Sequence, residues 1–197
     1  MNIRSVSFDT SFLLKDDPRV DAIIKSLARD MVPCFITATV ASELEQLRVW
    51  GRITPEKYRQ AMKRWKRSHA QVIDFKNRLL SSSIGKECML SMEKYHGVSA
   101  DDIRNDCSIL VTVLKKGLDI FLSEDYHFTS KITKEVVEEI KHNACSEYHQ
   151  MCDASLYSTD AKTFMQAYTR GSIDITVLES GMKNVRKPTK NFRSTDD

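Results

Sequence analysis

Short β-compatible runs alternate with amphipathic helical stripes along this chain, and that alternation restricts the fold more than any other feature. The run 3–8 ends at Phe8 and passes into the polar stretch Asp9-Thr10-Ser11, read as a loop ahead of Phe12, Leu13 and Leu14. After Pro33 the run 34–37 reads as a second strand, and Val40, Leu44 and Leu47 follow at helical spacing. A third unit opens at Ser99, a residue type that N-caps, with Asp102 as capping-box partner and Val98 and Ile103 as a hydrophobic staple. Its stripe is Ile103, Cys107, Leu110 and Leu114, Gly117 suits the C′ position, and the run 118–122 reads as a buried strand. Strands separated by helices need crossover connections, so the fold class expected is α/β: a small parallel sheet with helices on both faces.

The remaining segments extend that plan. The region 51–97 reads as two further helices. The region 133–171 reads as a helical addition carrying Val136, Val137, Ile140, Phe164, Met165 and Tyr168, with a break at 153–160. The alternating run 173–178 is expected to return to the sheet as an edge strand. A chain of 197 residues with 41% apolar and 29% charged side chains holds one full core, which predicts a single domain over 1–182. The tail 183–197, with Lys183, Arg186, Lys187, Lys190 and Arg193, shows no periodicity and is expected to be flexible and basic.

No apolar run approaches the roughly 20 residues of a membrane span, and the first residues lack a signal-peptide pattern, so no membrane role and a cytoplasmic location are expected. The five cysteines, at 34, 88, 107, 145 and 152, do not form a disulfide framework and are expected as thiols. His142, Cys145, His149 and Cys152 fall at helical spacing that a soft metal would accept, but a lone helical cluster reads more simply as packing and surface.

Charge is concentrated. Between positions 48 and 67 eight basic residues stand against one acid, Glu56, although the whole chain carries only +3. Thr54 as N-cap, Pro55 at N1 and Glu56 at the positive end of the dipole start a helix there. Spacing at 100° puts Tyr58, Met62, Trp65, Val72 and Ile73 on a packed side and Arg59, Lys63, Lys66 and Arg67 on a wet one. Arg52, Lys63, Arg64, Lys66 and Arg67 are the candidate phosphate contacts of a nucleic acid, with Trp65 read as core; a merely solvated face is the plainer reading.

Four acids stand at equivalent places. Asp9 ends the first strand and Asp125 follows the run 118–122; in a parallel sheet both belong to the carboxyl edge where ligands bind. Glu43 and Asp106 lie on the flanks of their helical stripes, where a carboxylate needs a cation or donors, whereas Glu45 and Asp101 face outward on the same helices. If Asp9, Glu43, Asp106 and Asp125 converge, repulsion raises their pKa values unless a hard divalent ion, Mg²⁺ or Mn²⁺, neutralises them with oxygen ligands alone. Single acids otherwise serve as helix caps.

The segments Ser7-Phe8-Asp9-Thr10-Ser11, Thr39-Val40-Ala41-Ser42-Glu43-Leu44, Asn105-Asp106-Cys107 and Ser123-Glu124-Asp125-Tyr126-His127-Phe128 together resemble the PIN domain nucleases, including the VapC-like toxins, over about residues 3–130. That resemblance implies a three-layer α/β/α fold and a metal-dependent ribonuclease. In it Asp9, Asp106 and Asp125 hold Mg²⁺ or Mn²⁺, Glu43 binds the ion or orients water, and Thr10, Ser11 and Ser123 hold water or phosphate. The products would be a 5′-phosphate and a 3′-hydroxyl. It further implies RNA as substrate, a homodimer or a small inhibitory protein partner, and a toxin role that the added helices put in question. Phosphatases with an aspartyl nucleophile need a second acid where Ser11 stands, and receiver domains need an acidic pair after the first strand. The competing class is a PIN-like module that binds RNA or protein without catalysis.

Overall fold

The computed structural model describes residues 1–74, 78–97, 99, 103–149 and 151–182. Val98, Asp101, Asp102 and the tail 183–197 lie outside them. Five parallel strands form the sheet: β1 (Val6–Phe8), β2 (Cys34–Thr37), β3 (Gln71–Ile73), β4 (Ile120–Leu122) and β5 (Tyr157–Thr159), in the order β3-β2-β1-β4-β5. Val6 lies opposite both Cys34 and Ile120, so β1 is central. Its residues and those of β4 are buried on both faces, so β4 is apolar throughout and β1 is apolar but for the buried Ser7.

Helices cover both faces, giving three layers. They are α1 (Thr10–Leu14), α2 (Pro18–Arg29), α3 (Ala38–Val49), α4 (Pro55–Ser68), α5 (Arg78–His96), α6 (Arg104–Lys115), α7 (Tyr126–Thr129), α8 (Lys131–Tyr148), α9 (Ala161–Ala167) and α10 (Ile175–Gly181), with a hairpin of β6 (Tyr168–Thr169) and β7 (Ser172–Ile173). α2 packs on α4 and α9, while α6 packs on α3 and α5, and α5 on α8. Caps start these helices where the sequence offers them: Thr37 accepts from the Val40 amide at 3.2 Å, and Thr54 from the Lys57 amide at 3.3 Å ahead of Pro55. The stripe Ile103, Cys107, Leu110 and Leu114 is buried, and Gly117, with φ +63, stands at C′ of α6.

Five expectations are corrected. Asp9-Thr10-Ser11 is not a loop: Asp9 caps α1, accepting from the Ser11 amide at 3.3 Å. α6 begins at Arg104 with Ile103 at its N-cap, four residues after Ser99. Val72 and Ile73 leave the helical face and form β3, because His69 takes a left-handed φ of +53 that ends α4. The break at 153–160 holds the edge strand β5, whereas 173–178 is mostly helix: the Asp174 side chain accepts from the Thr176 amide at 2.9 Å and Leu178 is buried beneath the turn. Finally, Cys145 and Cys152 form a disulfide, since His149 and Met151, both at positive φ, fold the chain back over the end of α8. Cys34, Cys88 and Cys107 remain buried thiols. Among the described residues no helix is long and apolar enough to cross a membrane.

Candidate metal centre

The strand order reverses between β1 and β4, the place in an open parallel sheet where a crevice forms at the carboxyl ends. Asp9 leaves β1 there, its amide bonded to the Leu122 carbonyl of β4 at 2.9 Å, and Asp125 stands at the N-cap of α7 just beyond β4. Glu43 comes from α3 and Asp106 from the first turn of α6. All four line one open cleft of about 420 Å³, together with Thr10, Ser11, Asn105 and an apolar side of Leu14, Leu47 and Trp50. Among the described lining residues there is no lysine or arginine.

The acids are held differently. Asp9 is 4% exposed, and its Oδ2 accepts from the hydroxyls of Ser11 and Ser123, the latter at 2.8 Å. Glu43 accepts from Thr10 Oγ1 at 2.6 Å and from Asn105 Nδ2 at 2.8 Å. The three hydroxyls expected to hold water or phosphate, those of Thr10, Ser11 and Ser123, each donate to one of these carboxylates, and Ser123 has no exposed surface. Burial pushes Asp9 up to about 6, against the Ser11 and Ser123 hydrogen bonds that favour its ionised form. Asp106 is pushed up to about 8, first by burial and then by the negative charges of Asp125, Asp9 and Glu43. Its place in the first turn of α6 favours the anion only weakly by comparison.

His127 joins this group. Its Nδ1 lies 3.2 Å from Asp106 Oδ2 and 3.7 Å from Asp125 Oδ1, and one donor atom each from Asp106, Asp125 and His127 falls within 4.8 Å of the others. These three residues can hold a metal ion, so the expected set of oxygen ligands alone gains a nitrogen. In sequence, His127 is two residues from Asp125, on the first turn that Asp125 caps, its amide donating to Asp125 Oδ1 at 2.9 Å. Asp9 and Asp125 do act as helix caps, but capping explains neither the burial of Asp9 nor the position of Asp106.

The other candidates separate. Glu45 is exposed and paired with Arg48, as expected of an outward acid. Arg59, Lys63, Lys66 and Arg67 line a groove of about 440 Å³ on α4 with Tyr58 and Met62, while Arg52 is exposed in the turn before it. Arg64 does not belong to that surface. It is 1% exposed, paired with Asp21 at 2.8 Å, and donates to the carbonyls of Leu13 and Lys15 at 2.9 and 2.6 Å. The inward face of α4 is centred on Ala61, Arg64 and Ser68, one residue off the stripe that Tyr58, Met62 and Trp65 define. The His142, Cys145, His149 and Cys152 set forms no metal cluster among the described residues, because its two cysteines bond to each other.

Comparison with family models, curated proteins and solved structures yields no match for this chain. The fold and the site define an α/β protein with an acidic cleft at the switch point of its sheet, where Asp106 and Asp125 of the lining, together with His127, can hold a metal ion.

Proposed function

We propose that this protein is a divalent-metal-dependent nuclease of PIN type that hydrolyses phosphodiester bonds in RNA. The observation that carries the reading is the meeting of Asp9, Glu43, Asp106 and Asp125 in one cleft whose described lining offers no lysine or arginine. Such a cleft is electrostatically costly by itself and favourable around a dication. The donor set fits: Asp106, Asp125 and His127 would hold the ion, with Asp9 and Glu43 close enough to contribute charge. Carboxylates suit Mg²⁺ and Mn²⁺ alike, and the imidazole favours Mn²⁺ of the two. A bound dication supplies Lewis-acid polarisation of the phosphodiester and acidifies water.

The chain's own groups do the positioning. Ser11 and Ser123 fix Asp9 Oδ2, and Thr10 and Asn105 fix both oxygens of Glu43, leaving that carboxylate oriented to accept a proton from water on its cleft side. The α4 groove holds the phosphate backbone outside the cleft through Lys63, Lys66 and Arg67.

The test is cleavage of single-stranded RNA with Mn²⁺. Wild type is expected to cut, leaving 5′-phosphate ends, and Asp9→Asn is expected to lose activity by on the order of 100-fold or more. A wild type that binds RNA without cutting it would assign the fold to a binding module. In the same system, reversing charge at Lys63 and Arg67 should weaken binding and reduce the salt slope by roughly two; an unaltered slope would assign α4 to solvation.

A further inference from the structure

The cleft has two chemically distinct sides, and only the acidic one is used by the nuclease reading. The other side is apolar. Leu14 and Leu47 are half-buried there, and Trp50, which is 67% exposed, stands at its rim. An indole left this open contributes little to the core, so packing does not account for it. Trp65 is the contrast: its Nε1 donates to the Ala70 carbonyl at 2.9 Å and its ring packs on the core.

The position of Trp50 is built in. Glu43, Leu47 and Trp50 follow one another on one face of α3, so Trp50 lies about 10 Å along the helix from Glu43. The Trp50 amide closes on the Gln46 carbonyl at 2.9 Å, and Gly51, at φ +65, turns the chain away immediately afterwards. That turn needs a glycine, and it leaves the indole at the mouth of the cleft without a chain segment immediately beyond it on the helix.

We propose that Trp50 is a stacking platform for an unpaired nucleobase of the strand whose phosphate meets the acids. A nucleotide couples an anionic phosphate to a flat aromatic base, and the cleft offers a cation-binding floor beside an aromatic rim in that same pairing. In a duplex the base is already stacked and paired, so the indole gains nothing from it. The inference rests on the nuclease reading for the phosphate and on Trp50 alone for the base.

The experiment follows Trp fluorescence while single-stranded oligoadenylate RNA is added with Ca²⁺ in place of Mn²⁺, then repeats the titration with the same strand in a duplex. Wild type should be quenched by the single strand and not by the duplex. Read by the anisotropy of an end-labelled strand, which does not depend on the tryptophan, Trp50→Ala should bind the single strand about five- to a hundred-fold more weakly, and Trp50→Phe should retain most of the affinity. The exposed position makes both variants foldable, which their melting curves check. Equal affinity of Trp50→Ala and wild type overturns the proposal, as does quenching that persists in Trp50→Phe or that follows protein concentration without RNA, the mark of self-association. An equal loss on duplex overturns it too. Failure of the nuclease reading is separate: a protein inert with Mn²⁺ whose single-strand binding still depends on Trp50 keeps the platform and loses the reaction.

Discussion

Asp106→Asn protein is expected to be more stable than wild type without metal and to gain far less stability than wild type from it. In the folded chain Asp106 keeps its proton up to about pH 8 and Asp9 up to about 6, against ordinary values of 3.8. Between those limits the native state binds more protons than the unfolded one, so metal-free stability falls as pH rises from about 4 to about 8. Below that window both states are protonated and the penalty vanishes; above it the penalty is complete. Asparagine removes the charge and with it the Asp106 share of the slope, leaving only the Asp9 share between about pH 4 and 6. A dication offsets part of that penalty, since saturating wild type at a hundred times its dissociation constant adds about 2.7 kcal/mol. For a chain of this size that raises the melting temperature by about 5 to 10 °C, a gain the variant should largely lose. Scanning calorimetry at pH 5 and pH 8, with and without Mn²⁺, checks all four corners. Equal metal shifts in the two proteins would remove Asp106 from the site.

Arg64→Met is expected to unfold the protein far more readily while leaving RNA affinity per folded molecule intact. Arg64 is the largest fully buried side chain among the described residues, and its guanidinium closes the end of α1 by bonding the carbonyls of Leu13 and Lys15. Asp21, its ion-pair partner, is 43% exposed, so screening makes that pair the smaller contribution. Stranding the two carbonyls costs about 1–3 kcal/mol each, and the whole change about 3–5 kcal/mol. The melting temperature should fall by roughly 10 °C, against less than about 2 °C for Lys63→Met on the outer face. Loss of RNA binding with unchanged melting would return Arg64 to the surface.

The sequence was most legible where burial is two-sided or periodic. Val6 to Phe8, Cys34 to Thr37 and Ile120 to Leu122 are mostly apolar, with Ser7 and Thr37 the polar members, because both faces of the sheet are covered, and the α6 stripe ends where Gly117 allows it. β3 and β5 escaped because each has three residues and lies at a sheet edge: Gln71 and Val72 are exposed, and Tyr157 is only half-buried. The run 173–178 alternates like a strand, but Asp174 supplies a cap, and a cap decides between two periods over so short a stretch. Arg64 was misplaced because a basic side chain reads as exposed unless backbone carbonyls are there to receive it, and those come from α1, 49 to 51 residues earlier.

At the site, the four acids were recognisable from their places at strand ends and helix flanks, whereas His127 was not. Its ring meets Asp106, 21 residues earlier in the chain, so no local spacing rule marks it. Trp50 escaped for a related reason: helical periodicity identifies a face, and only the tertiary arrangement shows that this face opens into the cleft.

The most direct test is diffraction from crystals soaked in Mn²⁺ and measured at the manganese absorption edge. The expected result is an anomalous peak in the cleft, bonded to carboxylate oxygens of Asp106 and Asp125 and to the His127 ring. A cleft empty of anomalous signal at saturating Mn²⁺, with the ion bound elsewhere or nowhere, would contradict the metal centre and the hydrolysis built on it.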